Sequence, residues 1–126
     1  VGTAAALWGI TAGVYLALMG PQGMVEMGEG LMSRSQVAMR EMDKIPGVKA
    51  PVFESPHFRE FIVDFGETGK TVAEINEALL ARRIFGGKDL TDEYPELGES
   101  ALFCVSEVHT REDIDRLAAA LKEVVD

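Results

Sequence analysis

One cysteine, Cys104, stands among the 126 residues, so no internal disulfide can form. The chain holds its fold without a covalent staple, which fits a reducing compartment such as the cytoplasm. Between Leu102, Phe103 and Val105, Cys104 is expected to pack as a small apolar group. Basic residues are also scarce: 12 Lys and Arg against 21 Asp and Glu leave a net charge of −9. Nucleic-acid binding draws on clustered cations that release counterions, and the few cations here are scattered among carboxylates, which argues against that class of partner. The two histidines, His57 and His109, share no ligand-like spacing with Cys104, so no metal cluster is expected.

Charge is missing altogether from residues 1–25, and Ala4 to Met19 is apolar almost all the way round. The run falls short of the ~18–20 residues that cross a bilayer and is interrupted by Gly9, Thr11 and Gly13. Its downstream flank, Glu26 and Glu29, is acidic, and no basic stretch precedes it as in a signal peptide. Gly9-x-x-x-Gly13 suits close packing of a buried helix in a soluble protein as well as in a membrane. The expectation is a helix buried in a larger domain or an interface, with no membrane role. The chain opens at Val1 inside this run, with only Thr3 as a candidate cap, and reads as a piece of a longer polypeptide.

Beyond the apolar run, Gly20-Pro21 ends one helix and starts another, since proline is favoured in a first helical turn. Met24, Met27, Leu31, Ala38, Met42 and Ile45 recur at three- and four-residue steps, predicting a second helix to about Ile45 with one apolar stripe. Pro46, Pro51 and Pro56 stiffen the connection that follows, and the best internal boundary lies there. Phe58 to Phe65 is a strand candidate, turned by Gly66 to Gly69. Thr71 and Glu74 form a capping box over a helix faced by Val72, Ile75 and Leu79. The same order returns in strand Ala101 to Val108 and a helix opened by Thr110 with Asp113, faced by Ile114, Leu117, Leu121 and Val125. Arg83-Ile84-Phe85, before Gly86-Gly87, offers a short third strand. The class is α/β in the α+β sense: a small sheet with helices on one face.

Candidate chemistry is thin. Gly69-Lys70-Thr71 evokes a phosphate-binding loop, but the glycine required five positions earlier is Asp64, a carboxylate that opposes an anion. Ser106, His109 and Asp113 lie close in sequence, yet a nucleophilic triad is defined by spatial geometry that the spacing does not supply. Glu26 with Glu29, Asp92 with Glu93 and Asp113 with Asp115 sit in polar stretches with no sign of a raised pKa. Lys44, Lys49, Lys70, Lys88 and Lys122 fall at helix ends, linkers or turns, which is no setting for a pyridoxal-phosphate lysine. No catalytic, cofactor or metal residue is assigned.

Leu16 to Met24, Ile45-Pro46-Gly47-Val48, Phe58 to Val63, Tyr94-Pro95-Glu96-Leu97-Gly98, Ala101 to Glu107 and Thr110 to Leu117 together resemble one family in order along the chain. It is the C-terminal end of the alpha subunit (subunit 1) of the glycine cleavage system P-protein, glycine dehydrogenase (decarboxylating). The chain departs from it at Met24, Met27 and Met42 and at Glu107-Val108-His109. The resemblance implies the C-terminal small domain of a fold-type-I pyridoxal-phosphate-dependent transferase preceded by long helices. Residues 1–45 would be helices leaving the large domain, and residues 46–126 the small domain. It further implies a cytoplasmic heterotetramer, in which the beta subunit holds the cofactor and passes an aminomethyl group to lipoylated H-protein. No cofactor residue of the family maps here, so this piece alone is expected to be inactive and to support subunit assembly and active-site architecture, while the apolar helix Ala4 to Met19 is expected to drive self-association. The doubled strand-helix unit on its own would also suit a free-standing ferredoxin-like regulatory or binding module, which needs four strands.

Overall fold

A helix can pass through Gly-Pro only if the glycine absorbs the bend, because proline supplies no amide proton and crowds the preceding turn. In the structure, a computed structural model that describes residues 3–126, α1 (Thr3–Asp43) does this at Gly20, whose φ of 64° and ψ of 177° are non-helical. Pro21 then sits in the first turn of the second stretch, and the expected helix pair is present. The start at Val1 and the capping side chain of Thr3 lie outside what is described.

Two compact units divide the chain, one up to Gly30 and one from Leu31 to Asp126. In the first, the apolar run carries its side chains in the open: Trp8 is 75% and Leu18 80% exposed, and Leu7, Ile10, Val14 and Leu16 are exposed with them. No described helix is long and apolar enough to cross a membrane.

The second unit is built on a three-stranded antiparallel sheet of order β1-β3-β2, from β1 (Glu60–Asp64), β2 (Lys88–Asp89) and β3 (Ser100–Cys104). Its helices are the last turns of α1, α2 (Val72–Ala81) and α3 (Arg111–Val125). Strand alternation sends Phe61, Val63, Ala101 and Phe103 inward, where they meet Met39 and Met42 of α1, Ile75 and Leu79 of α2, and Ile114 and Leu121 of α3. Phe103 stacks on Phe61 at 6.2 Å between ring centroids, a contact worth about 0.5–1.5 kcal/mol beyond its burial. The ferredoxin-like alternative needs four strands, and the described residues hold three.

The connection after α1 is tied down at both ends. Ser35, fully buried, donates its hydroxyl to the Phe58 carbonyl at 2.6 Å, and the Ala50 amide donates to the Asp43 carboxylate at 3.0 Å. Between these anchors the connection pairs with the outer edge of β1, through Lys49 with Asp64 and through the Val52 amide to the Ile62 carbonyl.

Two local expectations are corrected. The third strand is Lys88–Asp89, after the glycine pair rather than before it. Arg83-Ile84-Phe85 instead closes α2: the Arg83 amide donates to the Leu80 carbonyl and the Ile84 amide to the Leu79 carbonyl, a Schellman turn with Ile84 and Leu79 buried together. Cys104 is exposed rather than packed, because the strand period that buries Phe103 and Val105 turns it outward.

Candidate functional site: a cleft between the end of α2 and the start of α3

Both helices that frame the cleft begin on a reciprocal cap. At α2 the Glu74 amide donates to Thr71 Oγ1 at 3.2 Å, and the Thr71 amide donates back to the Glu74 carboxylate at 2.9 Å. At α3 the Asp113 amide donates to Thr110 Oγ1 at 3.2 Å, and the Thr110 amide donates to Asp113 Oδ2 at 2.9 Å. The shorter aspartate completes the box as the sequence predicts. Hydrogen bonds from the threonine hold the Glu74 and Asp113 carboxyls below the ordinary carboxylate range. A third carboxylate, on Glu99, accepts the Val72 amide at 2.9 Å and adds negative charge at the start of α2.

The Ser106, His109 and Asp113 group is partly brought together, without becoming a relay. The Ser106 amide donates to His109 Nδ1 at 2.9 Å, so the proton of the neutral ring sits on Nε2. Ser106 Oγ lies 3.3 Å from the same nitrogen, while Asp113 is engaged by Thr110. A nucleophile would need its histidine base oriented by the carboxylate through the other nitrogen, and here the histidine fastens a turn. Among the described residues no group of three His, Cys, Asp or Glu gathers as a metal set.

Lys70, the phosphate-loop candidate, donates its ammonium to the Val124 carbonyl in the last turn of α3, where a cation meets the negative end of the helix. Lys88 pairs with Glu93 at 2.6 Å and Lys44 with Glu41 at 2.7 Å, while Lys49 and Lys122 are exposed. The Glu41 carboxyl is held below its ordinary range first by the hydrogen bond from Lys44, with Arg111 adding to it. Arg111 is itself occupied, by Asp115 at 2.8 Å and Glu41 at 3.0 Å, and the hydrogen bond to Asp115 raises its pKa.

The cleft between these elements encloses about 320 Å³, near the lower limit of small-ligand pockets. Phe61, Phe103 and Leu117 give it an apolar wall, while Arg83, His109 and Arg116 contribute polar groups. One wall is fixed by close approach. A Cβ at Gly87 would stand 2.5 Å from the Phe103 ring, and Asn76 Nδ2 donates to the Gly87 carbonyl at 2.9 Å. Only glycine lets the chain pass there. Sequence reasoning missed this cleft; its signal was the Gly86-Gly87 pair, read only as a turn.

No protein-family model matches the chain. Over 119 residues it is 38% identical to the probable glycine dehydrogenase (decarboxylating) subunit 1 of Desulfitobacterium hafniense, covering 94% of this chain and 26% of that protein. The protein of the same name from Staphylothermus marinus is 37% identical over 120 residues, which is 95% of this chain and 25% of the relative. In three dimensions the chain is similar to a crystal structure of glycine decarboxylase (P-protein) of the glycine cleavage system, in inhibitor-bound form. The TM-score is 0.77 at 32% identity, over 88% of this chain and 24% of that one. The chain thus spans about a quarter of the length of the relatives it matches. Within that span, the chain is similar in both its sequence and its α+β fold to glycine dehydrogenase (decarboxylating) subunit 1 proteins.

Proposed function

We propose that the chain is the C-terminal part of the alpha subunit of a glycine decarboxylase, and that it supports subunit assembly and active-site architecture rather than carrying chemistry. In this reading residues 1–45 are helices leaving the large domain and residues 46–126 form the small domain, with the last turns of α1 lending Met39 and Met42 to its core. The complex is a cytoplasmic heterotetramer. Its beta subunit holds pyridoxal phosphate, which acts as the electron sink for decarboxylating glycine, and the aminomethyl group passes to lipoylated H-protein.

The residues described here do not fit that cofactor. A cofactor lysine needs a desolvated cleft, a partner for the pyridine nitrogen and a phosphate cradle. Four of the five lysines are exposed, and the fifth, Lys70, is spent on the end of α3. The observation that carries the assembly role is the apolar run from Leu7 to Leu18, whose exposed side chains are typical of a surface that binds protein.

The test is exchange of carbon between glycine and bicarbonate in the presence of lipoylated H-protein. It is run with the whole polypeptide that contains this chain, with the beta subunit, and with both. Activity in the mixture alone, lost when residues 50–126 are deleted, supports the reading. Full activity from the beta subunit by itself overturns it.

A further inference from the structure

Arg83 stands where an arginine is conformationally out of place. Its φ of 60° is left-handed, and it is the sole non-glycine residue with positive φ among the described residues. This is the Schellman position that glycine normally fills, because a Cβ crowds the following carbonyl there. The side chain recovers nothing through ion pairing: among the described residues neither Arg83 nor Arg116 joins a salt bridge, although the chain carries a net charge of −9. Arg111, one turn before Arg116, is by contrast held by two carboxylates.

Both arginines line the cleft of about 320 Å³. Arg116 Nη2 lies 3.4 Å from the Arg83 carbonyl, which places its guanidinium at the mouth beside the strained turn. Of the carboxylates, only Asp113 lines the same cleft; its Oδ2 accepts from the amide and the hydroxyl of Thr110, and the nearby Arg116 charge adds to these in lowering its pKa. The same cleft has the apolar wall of Phe61, Phe103 and Leu117. Asn76 and the close fit of Gly87 against Phe103 hold that wall in shape, so little ordering would accompany binding.

The geometry points to a binding site for a small organic carboxylate with an apolar body, its carboxylate set between Arg83 and Arg116 and its hydrocarbon against Phe103 and Leu117. A planar guanidinium matches a carboxylate in a two-bond fork, which a lysine at either position could not do. The wall supplies the apolar contact that distinguishes such a ligand from a bare anion. The strain at Arg83 is then retained for a function, at the expense of stability.

Hexanoate and acetate are the probes, titrated into the chain while amide shifts of residues 83–87 and 103–117 are followed by NMR. Hexanoate should saturate and bind at least tenfold tighter than acetate, since burying about two more methylenes gives that factor. Arg116→Gln should weaken hexanoate about tenfold, by loss of a charge-assisted hydrogen bond. Arg83→Gly should weaken it similarly while raising thermal stability, so that lost binding cannot be ascribed to misfolding. Equal affinity for the two acids, shifts that grow without saturating, or unchanged binding in both variants would overturn the assignment.

Discussion

Replacing Arg83 by glycine should make this protein more stable, although it removes a whole side chain. An L-residue in the left-handed region costs roughly 1–2 kcal/mol relative to glycine in the same place. Glycine returns part of that through the greater freedom of the unfolded chain, about 0.4–1 kcal/mol. The side chain of Arg83 is exposed and makes no salt bridge among the described residues, so little is lost with it. The backbone bonds of the turn, Arg83 to Leu80 and Ile84 to Leu79, need no side chain and survive. The net expectation is a gain of about 0.5–1 kcal/mol, or some 2–6 °C in Tm for a domain of this size. Arg83→Ala is the control: it keeps the Cβ and the strain, and should leave stability within about 0.5 kcal/mol of the parent. Urea denaturation measures all three, with the midpoint moving at constant slope if only stability has changed. If the glycine variant is no more stable than the alanine variant, the left-handed conformation is not a strained one and the argument fails.

Thr71→Ala and Thr110→Ala should each cost about 1 kcal/mol, the usual loss at a helix N-cap, seen as lower denaturant midpoints. The capping carboxyls make the same point through pH. Glu74 and Asp113 bind protons less tightly in the fold than in the unfolded chain, so their contribution is complete above the ordinary carboxylate range and disappears as pH falls through the folded values. Below about pH 5 the wild type should therefore lose stability more steeply than a Glu74→Gln, Asp113→Asn variant, and parallel pH profiles would show that the carboxylates contribute nothing. Leu16→Glu places a charge in the exposed apolar run and should reduce self-association of the chain in sedimentation velocity; a wild type that stays monomeric at high concentration would remove the premise.

Much of the architecture could be read from the sequence because it is locally encoded. The two capping boxes need only residues three apart, and both formed with the residues named for them. The Gly20-Pro21 break needs only two neighbours, and strands β1 and β3 announce themselves through Phe61, Val63, Ala101 and Phe103. What escaped depends on contacts between distant segments. Arg83-Ile84-Phe85 is the exception, a strand by side-chain type whose Arg83 and Ile84 amides are taken locally by the end of α2. Cys104 sits in an unbroken apolar run, and only pairing with β1 decides which of its residues face inward. The cleft was illegible for the same reason: Phe61, Gly86, Phe103 and Arg116 are far apart in sequence and meet only when the sheet closes on α2 and α3.

The paired segment at Lys49 to Val52 also governs how this unit can meet another molecule. It occupies hydrogen-bonding groups along the far side of β1, and the opposite margin of the sheet is a strand of only two residues, Lys88 and Asp89. Neither margin offers a long free ladder of amides and carbonyls on which a foreign strand could be templated. Recognition by this unit must therefore be written in side chains, where single substitutions can tune it, and the chain is spared the edge-to-edge stacking that leads small sheets into aggregates.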